Sequence, residues 1–148
     1  AQNINSDALD FDGSQLKIGT VRCRIVKNDC LDFSYSFGKI GEVYGSDISD
    51  KFISAGEKST IKIDSVNVTN SEIGVVSKDA SILQIKSLES RSVRVPIAVF
   101  IKKTELGKPS LFIDSLDESI LEMRLAKRLI STGERTQKLK QVDRDASR

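Results

Sequence analysis

Apolar and polar residues alternate along most of the first 113 positions, and this two-residue period is typical of β-strands with one buried face. The cleanest alternation spans residues 31–37, and the longest spans residues 93–101. Pro96 interrupts the longer run and lacks a backbone N–H, so we expect that strand at a sheet edge. Turn residues separate about seven or eight short strands, which predicts a mainly β fold, an antiparallel β-sandwich or small barrel. No internal repeat stands out.

The pattern changes near the end of the chain. Residues 115–118 read Ser-Leu-Asp-Glu, a capping box in which Ser115 and Glu118 would each satisfy a backbone N–H at a helix start. Gly133 fits the corresponding helix stop, so we predict one C-terminal α-helix over residues 116–131. Its apolar side chains form two stripes, and a single sheet cannot cover both. The second stripe, which either packs inside the fold or meets another chain, consists of Leu121, Leu125 and Leu129.

The remaining segments flank one domain. Residues 1–15 carry three aspartates and no basic residue, and we interpret them as an extended acidic N-terminal arm. Residues 16–133 are predicted to form a single β-rich domain that includes the helix, because 148 residues suit one domain. Residues 134–148 are polar, which favours a flexible tail.

Composition narrows the classes of function. The chain has 39% hydrophobic residues and a net charge of +2, which supports a packed core and argues against a dedicated nucleic-acid binder. It contains no histidine, which removes His-based acid/base catalysis, Ser/Cys–His nucleophiles and His-containing zinc sites. No glycine-rich phosphate loop is present, and no stretch approaches the ~20 apolar residues of a membrane-spanning helix. We therefore predict a non-catalytic protein with no cofactor, no metal and no membrane span.

The chain contains two cysteines, Cys23 and Cys30, and whether they form a disulfide indicates the cellular compartment of the protein. Cys30 is out of phase with the inward residues of its strand, so a regular two-strand ladder would not place the sulfurs opposite each other. A loose connection through residues 27–29 would still bring them together, and we predict a disulfide, with two separate thiols as the alternative. A disulfide and a start at Ala1 favour a periplasmic or extracellular protein whose signal peptide has been removed; the alternative is a cytoplasmic or virion protein.

Basic residues concentrate late in the chain. Residues 86–108 contain six basic and two acidic residues. The candidates for contact with an anionic partner are Arg91, Arg94, Lys102 and Lys103. Aromatic residues that could stack on bases are scarce, which weakens the case for nucleic acid. A solvated surface is the simplest interpretation, and contact with the acidic arm of a neighbouring copy is the alternative.

These features together favour a non-catalytic protein-interaction or structural subunit of a secreted, periplasmic or cell-surface assembly. We expect docking on a protein partner or a second copy through the edge of strand 93–101 and the second helix stripe. The predicted contact residues are Val95, Ile97, Val99, Leu121, Leu125 and Leu129. The alternatives are an intracellular or virion structural protein that forms homo-oligomers, and a module that binds nucleic acid or another anionic ligand.

Overall fold

The computed structural model describes residues 1–117, which wind into a parallel β-solenoid of about four turns. The strands are β1 (Gln2–Ile4), β2 (Leu9–Asp12), β3 (Gln15–Val26), β4 (Leu31–Ser34), β5 (Phe37–Ile48), β6 (Lys51–Ala55), β7 (Thr60–Lys78), β8 (Ile82–Phe100) and β9 (Ser110–Leu116). They form one sheet in the order β1-β3-β5-β7-β6-β4-β2, and β8 pairs with β7 and β9. Every pairing is parallel.

Each strand pairs with the chain one turn later. Leu9 pairs with Leu31, and Leu31 pairs with Ile53, which is a spacing of 22 residues. One inward column of stacked side chains is Ile18, Ile40, Ile63, Ile85 and Ile113. A second is Val21, Val43, Val66, Leu88 and Leu116. The core is therefore a set of apolar columns that run along the solenoid axis, with turns about 4.8 Å apart.

Each turn contains three strand segments. In the first complete turn, segment A covers residues 15–19, segment B covers residues 20–24 and segment C covers residues 31–34. Faces A, B and C denote the outward side chains of these segments and of the residues paired with them in other turns. The corners are marked by residues with positive φ, and many of these are Asn, Asp or Gly, which adopt that conformation with the least strain. Between B and C they are Asn3, Ile25, Asp47, Asn70 and Ser92, and between C and A they include Gly13, Tyr35, Glu57 and Asp79.

Buried serines stack inside the corner between segments C and A. The Ser14 N–H donates to Ser36 Oγ at 3.0 Å, and the Ser36 N–H donates to Ser59 Oγ at 3.1 Å. Ser81 continues the column, accepts the Lys78 N–H and donates to the Ala55 carbonyl oxygen. These hydroxyls satisfy backbone groups that the tight corner removes from the strand ladder, which is why polar side chains are tolerated here.

The predicted disulfide is confirmed as a cysteine pair at bonding distance. Cys23 lies in segment B and Cys30 just before segment C of the same turn, with a Cα–Cα distance of 6.0 Å. Both residues are buried. The phase mismatch in the sequence is resolved because the two cysteines face each other across the core and not across a strand ladder.

The expectation of a mainly β chain is confirmed, but the predicted antiparallel sandwich or barrel is wrong. Alternation shows which side chains point inward, yet it does not show whether a strand pairs with its neighbour in sequence or with a segment 22 residues away. The predicted absence of an internal repeat is also wrong, as the register shows. No helix within residues 1–117 is long and apolar enough to cross a bilayer.

The structure tests only part of what was predicted for the two ends of the chain. Residues 1–15, interpreted as an arm, contribute β1 and β2, which pair with β3 and β4. The start of the predicted helix is wrong, because Ser115 and Leu116 lie in β9 and pair with β8. The rest of that helix, to residue 131, and the predicted tail lie outside the described residues.

A buried carboxylate sits in the corner between segments B and C. Asp29 is 3% exposed, and its Oδ1 accepts the Lys51 N–H at 3.0 Å and lies 3.0 Å from Lys51 Nζ. Its own N–H donates to Asp7 Oδ1 at 2.9 Å, so equivalent positions of three successive turns are linked. Burial raises the pKa of Asp29 to about 6, although hydrogen bonds from Lys51 act in the opposite direction.

Asp29 is expected to make the protein more stable as the pH falls. Its folded-state pKa lies above the unfolded value of about 3.9, so the folded state binds the proton more tightly. Between pH of about 7.5 and 5, this group should add about 1 kcal/mol to the free energy of unfolding. Denaturant titrations of wild type and Asp29→Asn at both pH values measure the difference, because all other groups titrate in both proteins. Parallel pH profiles for the two proteins would contradict the assignment.

Candidate docking surface

Face A carries both exposed apolar side chains and a regular parallel ladder. Phe37 is 53% exposed, Phe112 48% and Ile82 39%. Phe112 pairs with Gln84, two residues after Ile82, so Ile82 and Phe112 are diagonal neighbours on adjacent turns. Half of the six large apolar side chains that are exposed in the described chain thus lie on one face. Such clustering is more informative than single exposed apolar residues, which are common on any protein surface.

Lysines line the same face. Lys17, Lys39 and Lys62 are in register on β3, β5 and β7, and they form a column with one lysine per turn. Lys86 lies in the neighbouring outward column, where Asp64 bridges Lys86 at 2.6 Å and Lys39 at 2.9 Å. Hydrogen bonds from Lys86 and then Lys39 lower the pKa of Asp64. Lys17 and Lys62 have no carboxylate within 4.0 Å among residues 1–117, so face A carries an excess of positive charge.

An acidic patch lies around the corner on face C. It consists of the outward side chains of Asp10 and Asp12 on β2 and Asp32 on β4, and Asp10 pairs with Asp32 in register. Asp10 and Asp12 are exposed, and Asp32 is half-buried. Partial desolvation, followed by the charges of Asp32, Asp7 and Asp12, raises the pKa of Asp10. Asp32 already lies 4.0 Å from Lys78 Nζ, so Asp10 and Asp12 are the carboxylates of this patch that a cationic partner would meet.

The four residues predicted to meet an anionic partner do not form one patch. Arg91 is exposed on face B, where it pairs with Thr69 of the previous turn. Arg94 lies just after the next corner and forms an ion pair with Glu72.

The other two, Lys102 and Lys103, lie in the longer connection between β8 and β9. Both of their N–H groups donate to Oδ1 of the buried Asp79 at 2.6 Å. Lys103 Nζ is also 2.9 Å from Glu57 Oε1, so two of the four cations, Arg94 and Lys103, form ion pairs within the described chain.

The predicted edge strand is present, but the three side chains that were predicted to make contacts from it point toward the core. Ile97 is 5% exposed and belongs to the core, and Val99 packs against the core. Val95 is half-buried. Residues 93–100 of β8 pair with β7 on one side, and no described strand pairs on the other. The predicted Leu121, Leu125 and Leu129 contacts lie outside the part of the chain that the structure describes.

The lysine column was missed although the sequence contains a signal for it. Residues 17–21 read Lys-Ile-Gly-Thr-Val, residues 39–43 read Lys-Ile-Gly-Glu-Val and residues 62–66 read Lys-Ile-Asp-Ser-Val. Aligning these pentapeptides identifies both the inward isoleucine column and the outward lysine column. The exposed Phe37 and Ile82 also follow from this alignment, because each lies three residues before an inward isoleucine.

Comparison with known proteins does not identify a function. No protein-family model matches the chain, and no match is found among curated proteins or solved structures. Within residues 1–117, no three His, Cys, Asp or Glu side chains converge as a metal site.

Proposed function

We propose that this protein is a non-catalytic, self-associating structural subunit of an assembly, in which face A of one copy binds the acidic patch of a second copy. The observation that carries the proposal is the placement of Phe37, Ile82 and Phe112 on the same face as a lysine column. Exposed apolar area supplies the affinity of a protein interface, while charge fixes orientation and partner choice.

Charge complementarity favours a second copy as the occupant. Face A presents Lys17, Lys39 and Lys62 at one position of three consecutive turns, whereas the acidic patch presents Asp10, Asp12 and Asp32. Both surfaces adjoin the corner between segments C and A, which is marked by Gly13 and Tyr35. In a two-fold dimer, each contact would therefore form twice, as an isologous interface requires.

Sedimentation equilibrium tests the proposal. Wild type is expected to self-associate, and the association should weaken as salt is added, because the charges are at the surface. Reversing the column with Lys17→Glu, Lys39→Glu and Lys62→Glu should raise the dissociation constant at least tenfold, or about 1.4 kcal/mol. The Asp10→Lys, Asp12→Lys protein should be equally weakened, and a mixture of the two variants should recover a hetero-complex.

The matched control reverses three exposed cations away from both surfaces and from the corner that they adjoin: Arg24, Lys27 and Arg91. This protein has the same net charge as the column variant and should associate like wild type. The proposal is overturned by a wild type that stays monomeric at the highest soluble concentration. It is also overturned by a control as weak as the column variant, or by oppositely charged variants that fail to bind each other. Association that depends only on the β8 edge would favour strand addition instead.

A periplasmic or extracellular location is part of the same proposal. The Cys23–Cys30 pair supports it weakly, because disulfides persist mainly in oxidising compartments. A cytoplasmic or virion subunit that forms homo-oligomers is the second candidate, and it would use the same two surfaces. The redox state of the two cysteines in protein trapped by alkylation from its native source separates these alternatives.

A further inference from the structure

A shallow groove of about 430 Å³ runs along face B, away from face A. One wall is formed by Arg22, Tyr44 and Asn67, which are in register on β3, β5 and β7. The opposite wall is formed by Arg24 and Ser46, two residues further along their strands, and by Gln2, which pairs with Arg24. The residues between the walls, such as Gly45, point inward, so the floor is backbone. The groove is thus a direct product of stacking outward positions separated by one inward position.

The floor can be flat because Gly45 has no side chain. An added Cβ at this position would overlap the ring of Phe52, which is fully buried beneath it. Phe52 therefore fills the space under the groove while the backbone of β5 stays in line with β3 and β7. The groove is rigidly supported, because its floor is held by ladder hydrogen bonds above and by the core below.

Hydrogen-bond donors dominate the walls. Arg22 stacks on the Tyr44 ring, with its Cζ atom 4.2 Å from the ring centroid, which fixes one guanidinium at the groove. Arg24 and Arg91 form no ion pair with any residue in the range 1–117. Arg24 lines the groove, and Arg91 lies beyond it in the same outward column, which runs Gln2–Arg24–Ser46–Thr69–Arg91. Three turns separate them, or about 14 Å at ~4.8 Å per turn.

Neutral polar groups fill the distance between these arginines. The hydroxyls of Ser46 and Thr69 make no hydrogen bond within the described chain, so both are available to a ligand. The Asn67 amide donates one N–H to Glu89 at 2.8 Å and keeps its second N–H and its oxygen. The Tyr44 hydroxyl donates to Glu42 at 3.1 Å and can still accept.

From this arrangement we infer a second binding site, for an acidic oligosaccharide that lies along the groove. The main-chain groups of face B are used by the ladder between turns, so a ligand here is recognised by side chains. Hydroxyl and amide groups match sugar hydroxyls, and guanidinium groups bind carboxylate or sulfate groups in forked geometry. An extended peptide would find no free backbone partner on β5 or β7, the inner strands of this floor. Nucleic acid would find only one aromatic ring, and Arg22 already covers one side of it.

Isothermal titration of the full chain tests this inference. A hexameric polyuronate is the probe, and a neutral glucan of equal length and an oligothymidylate are the comparisons. The polyuronate should bind, and added salt should weaken its binding, whereas the other two should bind at least tenfold more weakly. Arg22→Ala with Arg24→Ala should reduce polyuronate affinity by about tenfold or more, since each charged hydrogen-bonding group contributes strongly to binding. A sulfated hexasaccharide distinguishes recognition of sulfate from recognition of carboxylate.

Lys27→Ala provides the control, because Lys27 is an exposed cation at the corner after Arg24 and outside the groove. It should bind the polyuronate like wild type. The inference is overturned by a double variant that binds as tightly as wild type, by equal affinity for the neutral glucan, or by preferential binding of oligothymidylate. Near-ultraviolet spectra should report perturbation of Tyr44 on titration. Loss of this signal in a Tyr44→Leu variant that keeps its fold supports contact at the groove, and an unchanged signal contradicts it.

Discussion

Replacing Ile63 with alanine is expected to lower the free energy of unfolding by about 3 to 4 kcal/mol. Ile63 is 1% exposed and stacks between Ile40 and Ile85 in the inward isoleucine column. Truncation removes buried apolar surface and leaves a cavity between turns. The neighbouring turns cannot collapse into that cavity, because the ladder hydrogen bonds of β5, β7 and β8 fix their spacing.

Chemical denaturation at neutral pH measures the loss for Ile63→Ala. Lys62→Ala is the matched control, since Lys62 is the adjacent residue of β7 and points outward. That substitution should change stability by less than about 0.5 kcal/mol. A loss at Ile63 no larger than the loss at Lys62 would contradict the inward column, and with it the register of the solenoid.

Local sequence pattern predicted the strands because half-burial alone determines the two-residue period. The bend between segments A and B lies at Gly19, where the inward positions change from Ile18 to Val21. What the pattern could not supply was the pairing partner, since inward Ile18 is equally compatible with an antiparallel neighbour and with Ile40 one turn later. Parallel pairing across a whole turn depends on contacts distant in sequence.

Irregular spacing concealed the repeat. Phe37 pairs with Thr60 at a spacing of 23 residues, and Ile82 pairs with Ser110 at a spacing of 28. The first shift accommodates an extra corner residue near Lys58, where two successive residues have positive φ. The second reflects the longer connection held by Asp79. A search at one fixed period therefore loses register, although the pentapeptides that contain Ile40 and Ile63 align without gaps.

The sequence showed which types of residue the candidate surfaces contain, but it did not show which of these residues lie together. The net charge and the number of basic residues in the range 86–108 follow directly from the sequence. The grouping of Lys17, Lys39 and Lys62, however, can be predicted only when the number of residues in each turn is known. Arg91 was expected to act with Arg94 and Lys102, whereas the register places it in the outward column that contains Arg24. Charge along a solenoid groups by position within the turn and not by proximity in sequence.

Removing the disulfide with Cys23→Ala and Cys30→Ala is expected to lower the free energy of unfolding by about 2 to 3 kcal/mol. The bond closes a short loop with a sequence separation of 7, so it restricts the unfolded chain. The two side chains also fill buried positions on opposite sides of one turn, and alanine leaves part of that space empty.

Denaturant titration with and without reductant separates the two contributions. Reduction should destabilise wild type and leave the double-alanine variant unchanged. A wild type that is insensitive to reductant would show that the cysteines act only as buried apolar groups. A loss of about 2 to 3 kcal/mol is a large share of the 5 to 15 kcal/mol that stabilises a typical domain. A bond that contributes this much would favour a compartment in which disulfides persist.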